Sequence, residues 1–127
     1  MNTQDKLQRA AFIKAFFACA LWASSDEATP SGGESLQNNF STDDFDVVTK
    51  AKLTIDCQLF MDAQSVNLTD HPAADAGHDF LLSRNGHGAG FFEYEHGTKE
   101  QCNALQEASR AFGETNIYVG DDGKLYI

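Results

Sequence analysis

The sequence predicts an α+β domain in which helices pack against a small antiparallel sheet. The first half of the chain repeats its apolar residues every three to four positions, as amphipathic helices do. The stretch 78–95 changes to an extended, aromatic-rich pattern around an Asn-Gly pair, and a Gly-Asp-Asp-Gly turn follows near the end. The expected order is two N-terminal helices, a β-hairpin, a third helix and a C-terminal β-hairpin.

A single domain over 1–127 is expected, because a chain of this length buries most of its apolar surface in one core. The chain has 19 Asp and Glu against 9 Lys and Arg, a formal net charge of -10. This excess argues against direct binding of nucleic acid, since nucleic-acid-binding proteins usually present a basic surface. It favours solubility and association with a basic partner.

The first helix is predicted over 5–24, where an apolar stripe repeats at helical spacing. Its members are Leu7, Ala11, Phe12, Ala15, Cys19 and Trp22, widened by Phe16 and Leu21. The apolar run 10–23 is shorter than a membrane span and is interrupted by Lys14. Asp5 also disfavours a signal peptide. We therefore expect a buried helix, no membrane association and a cytoplasmic location.

A loop over 25–40 leads to the second helix, which is predicted to begin at Ser41. The Ser41 hydroxyl can cap the helix, and Asp43, Asp44 and Asp46 suit a first turn whose free N–H groups attract acids. Its predicted inward face comprises Phe45, Val48, Ala51 or Lys52, Ile55, Leu59 and Ala63. A second polar loop over 65–77 follows.

The first β-hairpin is predicted over 78–95. Asn85-Gly86 lies between two aromatic-rich runs, and a type I′ turn requires positive φ at both central residues. The expected opposite pairs are His78 with Glu93, Phe80 with Phe91, Leu82 with Ala89, and Arg84 with His87.

A third helix is predicted from Thr98, whose capping box includes Gln101, to a stop at Gly113. The C-terminal hairpin is predicted from 115–119 and 124–127, with Gly123 in the left-handed position of the turn. Its expected pairs are Ile117 with Ile127 and Val119 with Leu125 on one face, with Tyr118 and Tyr126 on the other.

Catalytic and metal-binding patterns are not recognisable. The chain shows no nucleophile at a strand-to-helix elbow and no glycine-rich phosphate loop before a helix. Its four histidines lack the spacing of zinc sites. The cysteines are odd in number, widely spaced and set in predicted helices: Cys19, Cys57 and Cys102. We therefore expect no enzymatic activity, no cofactor or metal, and buried free thiols in a reducing compartment.

Two groups of residues are candidate binding sites. The first is an acidic surface that imitates a row of phosphates and meets a basic groove, with Asp26, Glu27, Glu34, Asp43, Asp44, Asp46, Asp121 and Asp122. The second is the tip of the first hairpin, suited to a carboxylate or phosphate of a small ligand or to minor enzymatic chemistry, with His78, Arg84, Asn85 and His87. The plainer interpretations are helix capping and solubility for the acids, and an ordinary exposed turn for the tip.

Three segments of the chain resemble a family of small accessory proteins carried by bacteriophages and plasmids. They are CALWASSDE at 19–27, GHDFLLSRNGHGAGF at 77–91 and YVGDDG at 118–123, in the same order along the chain. The chain differs at Leu81 and Phe92, where family members carry Trp. The family has no assigned activity, and the resemblance implies a mobile-element protein in a bacterial cytoplasm. By analogy with other small acidic phage proteins, we expect an anti-CRISPR or anti-restriction inhibitor.

Overall fold

The computed structural model describes residues 2–26, 33–86 and 90–127. Its helices are α1 (Thr3–Ala23), α2 (Val47–Ala63), α3 (Ala73–Asn85) and α4 (Lys99–Arg110). Two antiparallel ribbons pair β1 (Ser25–Asp26) with β2 (Glu34–Ser35) and β3 (Tyr118–Val119) with β4 (Leu125–Tyr126). Single 3-10 turns occupy Leu36–Asn38, Thr42–Asp44 and Phe91–Glu93. The described chain is thus an α+β protein, mostly helical, as the sequence predicted in outline.

Helix α1 confirms the first predicted helix. Asn2 begins it, since its side chain accepts a hydrogen bond from the backbone N–H of Asp5 at 2.8 Å. The buried face comprises Phe12, Phe16, Phe17, Cys19, Ala20 and Leu21. Leu7 and Trp22, which were expected to face inward, are exposed near the two ends of the helix.

The core forms where α1 packs along α3. Gly77 of α3 lies directly against the backbone carbonyl of Phe12, so a side chain there would collide with main-chain atoms. Close approach of the two backbones brings the Phe12 and Phe80 rings within 5.8 Å of each other. Phe60 of α2 stacks on Phe80 at 4.2 Å. This aromatic cluster joins three helices into one core.

Helix α2 presents a different face from the one predicted. Its buried residues are Thr49, Leu53, Cys57, Phe60 and Met61, whereas Val48, Ile55 and Leu59 are exposed. Phe45 is buried as expected, but it precedes the helix, in extended conformation after the 3-10 turn. The predicted face of α2 was wrong because its helical spacing was counted from Phe45, which lies outside the helix.

The predicted first hairpin is wrong, because 73–85 forms helix α3 and Phe91–Glu93 forms a 3-10 turn. The His78–Glu93 and Phe80–Phe91 strand pairs therefore do not form, whereas the predicted pairs Leu82–Ala89 and Arg84–His87 each include a residue outside the described ranges. Gly86 has φ 64° and ψ 36° and ends α3 in the left-handed conformation. Positive φ at glycine serves a helix C-terminus as well as a type I′ turn, so Asn-Gly alone does not distinguish them. Buried residues at helical spacing are Ala76, Gly77, Phe80, Leu81 and Arg84.

The last third of the chain largely follows the prediction. Helix α4 begins at Thr98 with the expected capping box, in which Thr98 and Gln101 bond each other's backbone N–H at 3.1 and 2.9 Å. In the C-terminal ribbon, β3 and β4 pair Val119 with Leu125 and Tyr118 with Tyr126, in the predicted register. Ribbon β1–β2 was not predicted, because its strands are two residues long and lie in an expected loop.

None of the four described helices has the length and apolar character needed to cross a bilayer.

Candidate functional site

The segments that carry the predicted acidic residues lie next to one another. Strands β1 and β2 make Asp26 and Glu34 register partners, and β1 contacts β3 of the C-terminal ribbon. A β-bridge joins Phe45 to Leu125, and the backbone N–H of Asp46 donates to the Leu125 carbonyl at 2.9 Å. The turn before α2 and the two ribbons therefore form one neighbourhood.

We call the carboxylates carried by this neighbourhood the acidic region. Its members are Glu34, Asp43, Asp44, Asp46, Asp121 and Asp122. Of the predicted Asp26, only the backbone pairing with Glu34 belongs to the described part of the structure. Glu27, the remaining predicted acid, lies outside the described residues. Segments that contact each other thus carry acids up to about a hundred positions apart in sequence. The sequence pattern did not predict these contacts.

Part of the acidic region also stabilises local backbone. Asp44 accepts a hydrogen bond from the N–H of Ser41 at 2.7 Å in the capping box of the 3-10 turn, and Asp46 caps α2. Asp43 and Asp121 are exposed, and the described residues give their carboxylates no hydrogen-bond or ion-pair partner. The capping interpretation therefore accounts for Asp44 and Asp46 and leaves the other two carboxylates available.

Two tyrosines lie beside these acids on the outer face of the C-terminal ribbon. Tyr118 stacks on Tyr126 with ring centroids 5.8 Å apart, and Tyr118 is 55% exposed. The Tyr126 hydroxyl donates to the Asp122 carboxylate at 2.6 Å. This bond raises the pKa of Tyr126 to about 12 and lowers that of Asp122. The strand pattern predicts both tyrosines on one face, because they alternate with the buried residues of the strands, but the pattern indicates no role for them.

Arg84, expected at an exposed hairpin tip, is buried instead, with 4% of its surface exposed. Its guanidinium pairs with the Asp56 carboxylate at 3.2 Å and donates from Nε to the Gly113 carbonyl at 2.9 Å. It lies 5.4 to 5.9 Å from the ring centroids of Phe16, Phe80 and Phe112. Burial lowers the Arg84 pKa, and Asp56 opposes that shift. Arg84 therefore joins α2, α3 and the segment that follows α4.

Of the other predicted tip residues, the described Asn85 and His78 do not join Arg84 in a site. Asn85 accepts from the backbone N–H of Thr115 at 2.7 Å and donates to the Thr115 carbonyl at 3.3 Å. His78 is exposed on α3, with its ring 6.0 Å from that of Trp22. His87 lies outside the described residues. Arg84 and Asn85 thus hold the chain after α4 in place, and they lie at the end of a helix, not at a hairpin tip.

A histidine and carboxylate cluster lies where the segment before α4 meets α3. His96 Nε2 is 3.0 Å from the Asp75 carboxylate, and the His71 ring lies edge-on to His96 at 5.7 Å. Both ring nitrogens of His71 are buried without a hydrogen-bond partner among the described residues. Burial and, secondly, His96 lower the His71 pKa. Across 2–26, 33–86 and 90–127, no three His, Cys, Asp or Glu side chains are arranged to hold a metal ion.

Asp79 of α3 is the most strongly perturbed carboxyl group near this cluster. Burial, followed by the nearby carboxylates of Glu95, Glu93 and Asp75, raises the Asp79 pKa to about 7. Its side chain is 4.0 Å from His78 Nδ1. Perturbed groups often mark functional sites, but burial against like charges also occurs in purely structural positions. In the sequence, only the place of Asp79 beside His78 pointed to this residue.

A cavity of about 490 Å³ opens between α1, the end of α2 and the start of α3. Phe12, Met61 and Leu68 form its apolar lining, and Asp5 and Arg9 lie among its polar residues. Arg9 is also paired with Asp62 at 2.9 Å. None of the described residues of the predicted hairpin tip lines this cavity.

The three cysteines are free and buried, as the sequence predicted: Cys19, Cys57 and Cys102. Burial raises the pKa of Cys19 to about 12 and also raises that of Cys57. Thiols protonated in this way are poor nucleophiles, so these cysteines act as small apolar residues of the core.

No family model, curated protein or solved structure matches this chain.

Proposed function

We propose that this chain is an acidic accessory protein of a bacterial mobile element that binds and inhibits a host nucleic-acid-handling defence complex. The inhibitor would be of the anti-CRISPR or anti-restriction type, acting by imitating nucleic acid in the bacterial cytoplasm. The observation that carries the proposal is the acidic region, where segments distant in sequence meet and each contributes carboxylates. The resemblance to phage and plasmid accessory proteins supplies the cellular context.

Charge gives the physical basis of the interaction. A net charge of -10 on 127 residues repels nucleic acid and attracts a groove lined by Lys and Arg. Carboxylates spread over a surface can occupy such a groove in place of phosphates, and this needs no active site. Asp43 and Asp121 suit that role best, because they are exposed and have no described internal partner.

Affinity capture from a bacterial lysate, at low and high salt, tests the proposal. We expect the immobilised protein to retain a basic, nucleic-acid-binding complex at low salt and to release it at high salt or on addition of duplex DNA. The purified complex should then lose its nucleic-acid-binding or cleaving activity when the protein is added.

The matched variants change charge at two positions each. Asp43→Asn with Asp121→Asn should weaken capture, whereas Asp70→Asn with Glu107→Gln, exposed acids outside the acidic region, should weaken it far less. Failure to retain any basic nucleic-acid-binding complex at low salt would contradict the proposal. Equal loss in both double variants would show that only the total charge matters.

The cavity between α1, α2 and α3 supports a second candidate function, the binding of a small ligand. Its volume and its mixture of an apolar lining with a few polar groups are typical of ligand pockets. The sequence predicted a small-ligand site at His78, Arg84, Asn85 and His87. The second candidate is also a small-ligand site, but it lies in the cavity between α1, α2 and α3. Arg84 and Asn85 are engaged internally and cannot serve it without loss of structure.

Native mass spectrometry of the protein purified from bacteria tests the second candidate. A bound metabolite should be present in the wild type and lost in Ala73→Trp, which fills the cavity. Ala74→Trp, on the exposed side of α3, is the control and should retain it. A wild-type protein that carries no metabolite and gains no thermal stability from a metabolite panel would rule it out.

A further inference from the structure

The C-terminal ribbon carries a shallow depression that combines aromatic and acidic groups. Tyr118, Tyr126, Asp121 and Asp122 contribute to its lining, together with the backbone at Gly120. A side chain at Gly120 would lie 2.5 Å from the Tyr126 ring, so glycine is what allows that ring to lie over the turn. The exposed Tyr118 ring, the partly buried Tyr126 ring and the carboxylates therefore occupy the same small surface.

This arrangement is held in place before any partner binds. The Asp122 carboxylate accepts hydrogen bonds from the Tyr126 hydroxyl at 2.6 Å and from the backbone N–H of Lys124 at 3.0 Å. Tyr126 in turn stacks on Tyr118. Asp122 thus positions the aromatic pair, whereas the exposed Asp121 carboxylate has no partner among the described residues.

The chemistry of the depression favours one kind of side chain. A guanidinium group is planar, so it stacks on an aromatic ring and also bonds a carboxylate through two N–H groups. A Lys ammonium is a compact, strongly hydrated charge that gains less from a flat aromatic surface. Tyr is also enriched, like Arg, among the residues that dominate protein interfaces.

We infer that the Tyr118–Tyr126 face of the C-terminal ribbon binds an arginine side chain of the partner protein, with Asp121 as the pairing carboxylate. This inference rests on the proposed function, and it identifies the point within the basic groove that the protein recognises. Asp122 is a positioning residue, because its carboxylate acts through Tyr126. The rest of the acidic region then contributes attraction that does not depend on the shape of the partner's side chains.

Titration with two peptides of equal length and charge, one of Gly-Arg repeats and one of Gly-Lys repeats, tests the inference by calorimetry at low salt. We expect the wild type to bind the arginine peptide roughly threefold to tenfold more tightly. Tyr118→Leu should remove this preference, and Asp121→Asn should weaken binding of the arginine peptide by a similar factor. Glu107→Gln, an exposed acid on α4, is the charge-matched control and should keep the preference.

Circular dichroism of each variant checks that the exposed substitutions leave the fold intact. Equal binding of the two peptides by the wild type, or an unchanged preference in Tyr118→Leu, would overturn the arginine site. If both peptides bind equally and the Asp43→Asn with Asp121→Asn variant loses both, the acidic-surface proposal stands alone. Absence of binding to either peptide at low salt would also overturn the arginine site. The proposed function would then be tested separately by affinity capture from the bacterial lysate.

Discussion

Arg84 is the residue whose position differs most from its predicted role. Its place beside an Asn-Gly pair predicts an exposed side chain that is available to a ligand. In the structure, the Arg84 guanidinium lies between three phenylalanine rings and pairs with Asp56. A buried charge of this kind is tolerated only because the carboxylate and two backbone carbonyls compensate its lost hydration. Its contribution is therefore to the fold.

Replacing Arg84 with Met should lower the free energy of unfolding by roughly 3–5 kcal/mol, because the largely buried Asp56 carboxylate would lose its closer, buried partner. Urea denaturation followed by circular dichroism measures this change. Lys52→Met is the control: Lys52 pairs with the same carboxylate from an exposed position, at 3.5 Å, and its loss should cost about 0.5 kcal/mol or less. Similar stability of the two variants would contradict the assignment.

Asp79 links stability to pH. Its pKa is raised to about 7 in the folded protein, so between pH 4 and 7 the folded state holds a proton that the unfolded state has released. Its favourable contribution is therefore present at low pH and is lost as the pH rises through 7. Asp79→Asn should raise the free energy of unfolding at pH 8, by roughly 1–2 kcal/mol because solvent screens part of the repulsion, and change it little at pH 4.

Denaturant titrations of wild type and Asp79→Asn at both pH values test this prediction. Asp75→Asn is a useful comparison, because Asp75 is exposed on the same helix and its carboxylate lies 3.0 Å from His96 Nε2. It should not show the same gain at pH 8. A variant at position 79 that is equally stabilising at pH 4 and pH 8 would exclude a titration effect.

The predicted buried face of a helix depends on the residue from which the helical spacing is counted. In α2, the buried Phe45 precedes the N-cap Asp46, so a helical count that starts from it assigns Val48 and Ile55 to the core. The structure exposes both, at 72% and 52%, and buries Leu53 completely. In α3, the helical spacing is present in the sequence, but the Asn-Gly pair predicts a turn between strands.

The two faces of α2 can be separated by paired substitutions. Leu53→Ala should lower the free energy of unfolding by roughly 2–5 kcal/mol, because it leaves a cavity in the core. Ile55→Gln should change it by no more than about 0.5 kcal/mol. Thermal or chemical denaturation distinguishes these outcomes. A larger loss from Ile55→Gln than from Leu53→Ala would restore the face predicted from the sequence.

Over the entire chain, an excess of ten negative charges opposes compactness. Added salt screens this repulsion, so the thermal midpoint should rise from low to moderate ionic strength. The double variant Asp43→Asn with Asp121→Asn should melt higher than wild type at low salt, and the difference should shrink as salt is added. Differential scanning calorimetry at three salt concentrations measures both effects. A midpoint independent of salt in both proteins would show that self-repulsion is negligible.

Local signals were sufficient for the parts of the chain whose structure depends on neighbours in sequence. The 3.6-residue repeat predicted α1 and α4, the Thr98 capping box marked where α4 begins, and the turn at Gly123 gave the register of β3 with β4. The burial of the three cysteines followed from their places in helical segments. Each of these features needs only a few consecutive residues to be stabilised.

Tertiary contacts decided the rest. Asn85-Gly86 is compatible with a hairpin turn or a helix end, and the packing of Gly77 against α1 selects the helix. The acidic residues were visible as a composition, but their common neighbourhood depends on the bridge from Phe45 to Leu125, eighty positions apart. Local propensities contribute less free energy than the burial of a shared core, so contacts between distant segments override them. Such contacts cannot be predicted from any short segment of the sequence.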